Sequence, residues 1–152
     1  MSKYAKVKKP IDYLISEEVA IEQVQELLEY YDIDVEALSA GESKEEKDRA
    51  VAFERTLDHV SRAFRTGTLA LERDKDGRLE VHHTIRGAEP LIYIEIGARH
   101  KVAMERFSAE AGYSRVYAFM GSLSGIGKAG IEKLGPVDLG IVEVLGTLFL
   151  NA

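Results

Sequence analysis

The run Asp74-Lys75-Asp76-Gly77 constrains this chain more than any other feature. Apolar alternation flanks it on both sides, over 68–72 and over 78–85. Asp-Gly between two such runs predicts a β-hairpin, because glycine accepts the positive φ that the turn requires. Leu79, Val81, His83 and Ile85 then share one face, and Glu80, His82 and Thr84 the other. A β-branched and aromatic run at 91–96, set off by Arg86-Gly87-Ala88-Glu89-Pro90, predicts a third strand.

Everything else has helical period. Ser16 caps a helix whose first turn carries Glu17 and Glu18 and whose apolar positions are Ala20, Ile21, Val24, Leu27, Leu28 and Tyr31. Asp34 opens a short helix that stops at Gly41. Ser43 and Glu46 form a capping-box pair ahead of Ala50, Phe53, Leu57, Val60 and Phe64, and Gly67 ends that helix. Beyond the strands we expect a helix over 98–111 with Ala98, Val102, Ala103 and Phe107 inward, broken by Gly112. A second follows, capped by Ser114, with Val116, Tyr117, Met120 and Leu123 inward. A short helix comes next over 129–134. The last is opened by Gly135-Pro136, because proline suits the first helical position. Helices, a small antiparallel sheet, then a cluster of short helices make an α+β pattern. We read one domain: a basic tail over 1–10, a helical part over 11–67, the sheet over 68–96 and the C-terminal helices over 97–152.

Composition narrows the function. The 152 residues carry a formal net charge of −6 and no cysteine. The charge argues against nucleic-acid binding, which needs a basic surface. Lys3, Lys6, Lys8 and Lys9 are a local exception, read either as a solvated end or as an arm for an acidic partner. Without cysteine there is neither a disulfide nor a thiolate ligand. No apolar run approaches the ~20 residues of a membrane span, and 1–10 lacks a signal-peptide core, so we expect a soluble, cytoplasmic protein that does not enter membranes.

Motifs for chemistry are sparse. Gly125-Ile126-Gly127-Lys128-Ala129-Gly130 has the glycine spacing of a dinucleotide loop, but a helix rather than a strand precedes it, and no acid follows on a second strand. A joint between two helices is the plainer reading. His82 and His83 point to opposite faces of a strand and do not converge on a metal. His83 is expected as a hydrogen-bonded core residue able to titrate near neutral pH. Glu95 lies inside an apolar run, where burial would make it a candidate acid or base; an edge-strand charge or a pairing with Arg99 is the simpler reading. Nothing assembles a catalytic constellation, so we expect no catalytic, cofactor or metal residues.

Four stretches carry a resemblance: Ala118-Phe119-Met120-Gly121-Ser122-Leu123-Ser124-Gly125-Ile126, Ile131-Glu132-Lys133-Leu134, Asp138-Leu139 and Gly146-Thr147-Leu148-Phe149-Leu150. With Thr84-Ile85-Arg86-Gly87-Ala88-Glu89-Pro90 ahead of them, residues 79–150 resemble tailed-bacteriophage tail assembly chaperones. Leu139 departs from the aromatic residue common there, and the N-terminal half has no counterpart in the family. The resemblance implies a non-catalytic protein that binds a long, helix-rich tape measure protein during tail assembly. Met120, Leu123, Ile126, Leu139, Val142, Leu145 and Leu148 are then candidate client contacts, with ordinary core as the competing role. Two other classes stay open: a different small protein-interaction or regulatory module, including one that closes its apolar surface against a second copy, and a small enzyme or nucleotide binder.

Overall fold

The computed structural model describes residues 12–152. The basic run over 3–9 lies outside the described residues. Seven helices and three strands follow in the order α1 (Glu17–Tyr30), α2 (Val35–Ser39), α3 (Lys44–Arg65), β1 (Leu69–Arg73), β2 (Leu79–His83), β3 (Leu91–Tyr93), α4 (Ala98–Val102), α5 (Gly112–Ser124), α6 (Gly127–Glu132) and α7 (Pro136–Phe149). The fold is α+β, with helices at both ends of an antiparallel sheet of order β1-β2-β3.

The N-terminal helices start where their caps place them. Ser16 Oγ accepts from the Val19 amide at 3.2 Å, Asp34 Oδ1 from Ala37 at 2.9 Å and Ser43 Oγ from Glu46 at 3.1 Å. Each bond satisfies one amide that the first turn leaves without a partner. Helix α1 buries Ala20, Val24, Leu27 and Leu28. Ile21, expected inward, is 50% exposed. Helix α3 buries Phe53, Val60, Ala63 and Phe64.

The hairpin forms as expected. Asp74 Oδ1 accepts from the amides of Asp76 (2.8 Å) and Arg78 (2.9 Å), and Gly77 sits at φ 80°. Register pairs Leu71 with Val81, Leu69 with His83, and His83 in turn with Leu91. The third strand is shorter than 91–96. After Tyr93 the chain leaves the sheet, and the Ile94 amide bonds the Leu123 carbonyl of α5 (3.3 Å) instead.

The segment 98–111 needs correction. Helix α4 ends at Val102 and turns follow. Ala98 and Val102 are exposed, while His100 and Met104 are buried in their place. Arg115 makes this early stop possible. Its Nη1 donates to the carbonyls of Phe107 (2.9 Å) and Met104 (3.5 Å), which a longer helix would have occupied. Helix α5 accordingly begins at Gly112, so Ser114 lies inside its first turn and is not its cap.

Gly125, at φ 78°, ends α5 in the left-handed conformation. Gly121 lets α6 pack directly on α5, since a Cβ there would overlap the Gly127 carbonyl. Pro136 opens α7 at its first turn. One continuous core joins residues from α1, α3, the sheet, α5, α6 and α7.

Candidate functional site

Two concave regions stand out. The first is a groove of about 950 Å³ along α1, α2 and α3. Its floor is Val24, Leu28 and Leu57, and Ile21 and Val35 rise along it with exposures of 50% and 37%. Its geometry follows from the chain's own turns. The Leu14 and Ile15 amides donate to the Arg65 carbonyl (2.7 and 3.4 Å), so α1 starts beside the end of α3 and runs back along it. Helix α1 buries one stripe against α3 and leaves Ile21, on the neighbouring stripe, facing the groove. About two turns of a helix 10 Å across fill roughly 850 Å³, a volume of the same order as that of the groove.

The second is a cleft of about 1000 Å³ between the α6–α7 connection and the end of the sheet away from the hairpin turn, where β1 begins and β2 finishes. Asp138, in the first turn of α7, stands in its wall. Behind it lies a buried chain of hydrogen bonds. His83 is 0% exposed, with Nε2 3.1 Å from Asp138 Oδ1 and Nδ1 2.8 Å from the Tyr93 hydroxyl. An ionised carboxylate only accepts, so Nε2 carries the proton and donates to Asp138. The Tyr93 hydroxyl then donates to Nδ1. Burial lowers the His83 pKa from its ordinary value, against the opposing pull of Asp138. Burial, and then the Asp138 charge, raise that of Tyr93, which holds its proton and stays a donor. His83 thus takes the hydrogen-bonded core position expected of it.

The relay runs in the opposite sense to a hydrolytic triad. There a buried carboxylate orients a histidine whose nucleophile meets the substrate. Here the carboxylate is at the cleft and the hydroxyl is in the core. What the arrangement does is hold Asp138 in one orientation. Sequence reasoning missed Asp138 and Tyr93, which sit 55 and 10 residues from His83. The available signal was His83 itself, a polar side chain on the apolar face of a strand, which needs partners when buried.

Neither cleft is lined by any of the seven residues that the resemblance singled out. Met120, Val142, Leu145 and Leu148 are 0% exposed and Leu123 is 1% exposed. Leu139 is half-buried, and Ile126 alone is exposed, at the turn before α6. These helix faces pack against each other and against α3, so five of the seven residues are core and offer a client no surface in this conformation.

The remaining candidates separate as well. Glu95 lies past the end of β3, and its partner is the Tyr30 hydroxyl, not Arg99. That bond leads the causes that raise the Tyr30 pKa, while burial pushes neighbouring Tyr31 up to about 12. His82 pairs with Glu80 at 3.2 Å on the outer face of the sheet. Among the described residues no three His, Asp or Glu side chains converge to hold a metal. No helix among them is long and apolar enough to cross a membrane. The glycine motif runs from the C-cap of α5 at Gly125 into the first turn of α6, so the strand that a dinucleotide loop follows is a helix here.

No family model, curated protein or solved structure matches this chain.

Proposed function

We propose that this protein is a non-catalytic binding module of the tail assembly chaperone kind, which holds an amphipathic helix of a long, helix-rich tail protein during assembly. The observation that carries this reading is the groove along α1, α2 and α3. An apolar floor flanked by exposed Ile21 and Val35 is what a helix-in-groove contact uses, with client anchors spaced three and four residues apart. The resemblance over 79–150 supports the tape measure class of client. In this proposal the resembling half is scaffold, and the N-terminal half, which has no counterpart in that family, holds the client.

The test is affinity capture of the tagged chain and of its Ile21→Glu variant from source cells, with partners identified by mass spectrometry. A long helical tail protein held by the native chain and lost from the variant supports the proposal. Recovery of the protein alone, from a lysate shown to contain such a client, refutes it and favours a module that binds its own copy.

A small-ligand site is a second reading, favoured by one observation. Asp138 is oriented by wholly buried partners at the wall of the second cleft. A screen of small amines and carboxylates by ligand-detected NMR, repeated on Asp138→Asn, checks it. Binding that survives the substitution rejects the carboxylate as the recognition group.

A further inference from the structure

The groove is not electrically uniform. Arg62 and Arg65, in the last turn of α3, gather at the end where α1 begins, together with Tyr13. Leu28, Leu57 and Val35 belong to the opposite stretch. Glu17 and Asp58 are the acids of the lining, Asp58 one turn before Arg62 on α3, yet neither arginine forms an ion pair among the described residues. The guanidinium of Arg65 packs over the Tyr13 ring, 3.7 Å from its centroid. Arg65 Nε is also the only buried side-chain nitrogen or oxygen among the described residues that lacks a hydrogen-bond partner.

Cations in a last turn complement the helix dipole, which accounts for charge at this end of α3. It does not account for a guanidinium packed over an aromatic ring with its Nε donor left unmet. Leaving a buried donor unsatisfied costs about 1–3 kcal/mol, and a partner that takes up the guanidinium is one way to offset it. The planar fork matches a carboxylate, and stacking on Tyr13 fixes its orientation beforehand.

We infer that the Tyr13–Arg65 end of the groove is a carboxylate-binding pole, so the client is an amphipathic helix with an Asp or Glu at one end of its apolar stripe. The inference rests on the groove reading and specifies the partner's chemistry. The stripe lies over Val24, Leu28 and Leu57, and the acid meets Arg65 with Arg62 beside it. The two elements act together: the stripe supplies area, and the acid sets register and direction.

A helical peptide library tests this without a known client. Peptides of about fourteen residues, four turns, carry a fixed apolar stripe and randomised polar positions, and are selected on the full chain. The expected result is enrichment of Asp or Glu at one end of the stripe. Selected peptides should bind at least tenfold tighter than their Gln counterparts. Arg65→Gln should abolish that preference while still selecting the stripe. Arg65→Lys keeps the charge without the fork, and should retain part of the preference; it serves as readout should Arg65→Gln fold poorly. Enrichment of the stripe with no acidic preference overturns the pole and leaves the groove. Failure to enrich any stripe peptide overturns the groove itself. A stripeless acidic peptide or inorganic phosphate that binds as tightly as the selected helices makes this a plain anion site, and overturns the coupling proposed here.

Discussion

His83 and Asp138 lie 55 residues apart and meet through a 3.1 Å bond between Nε2 and Oδ1. It joins the inner face of β2 to the first turn of α7. The histidine is fully buried and its pKa is lowered by that burial, so the folded protein holds it neutral where the unfolded chain begins to protonate it.

That difference sets a pH dependence. The unfolded state binds more protons between the ordinary value of 6.5 and the lower folded value, so stability is complete above 6.5 and is lost as pH falls through that window. The slope is at most about 1.4 kcal/mol per pH unit for each proton taken up. His100 acts in the same sense, because burial and then Arg99 lower its pKa. The melting temperature should therefore fall between pH 7 and 5.5. The slope should ease in His83→Gln and nearly vanish when His100→Gln is added. A native protein whose melting temperature is flat over that range would show that folding lowers the pKa of neither histidine.

Truncation of the relay should depend on what is left behind. Asp138→Asn keeps an oxygen that can accept from His83 Nε2–H, and should cost less than about 1 kcal/mol. Asp138→Ala leaves that buried donor unmet, at about 1–3 kcal/mol. Urea unfolding of the two variants gives the comparison, and equal losses would mean the bond contributes nothing to stability.

How much of this was legible in the sequence follows from the range of the interactions. Caps at Ser16, Asp34 and Ser43 and the Asp74–Gly77 turn act within four residues, and their residue types announced them. The early end of α4 depends on Arg115 reaching back to Phe107, which no local spacing encodes. The same holds for Glu95, whose partner Tyr30 is 65 residues away. At the candidate site the limitation was different. Apolar period identifies a buried stripe, but not whether a chain neighbour or a client buries it. Leu145 and Ile21 look alike in that pattern and stand at 0% and 50% exposure.

Gly121 gives a packing prediction. A Cβ at this position overlaps the Gly127 carbonyl where α6 crosses α5, and backbone does not yield as a side-chain tip does. Gly121→Ala should destabilise by about 1–3 kcal/mol, as overpacking does. Gly77→Ala adds a methyl into open space and costs only the positive φ, about 1 kcal/mol. Thermal unfolding distinguishes them. A Gly121→Ala protein as stable as the native one would mean that the two helices sit further apart.

The contrast between Leu145 and Ile21 separates scaffold from surface. Leu145 is wholly buried in α7, so Leu145→Ala should lose about 2–5 kcal/mol through lost contacts and the cavity that remains. Leu145→Asp places a charge in the same space and should prevent folding outright. Ile21 is half exposed on α1 and faces the groove, so Ile21→Ser should change stability by no more than about 0.5 kcal/mol. If the groove is the contact surface, Ile21→Ser should weaken client or library-peptide binding at least tenfold in a protein that melts like the native one. Denaturation and binding measured on the same preparations decide the matter. Loss of binding by a folded Leu145→Ala with Ile21→Ser unaffected would return recognition to the C-terminal helices, through an opening of α7 that exposes its core face.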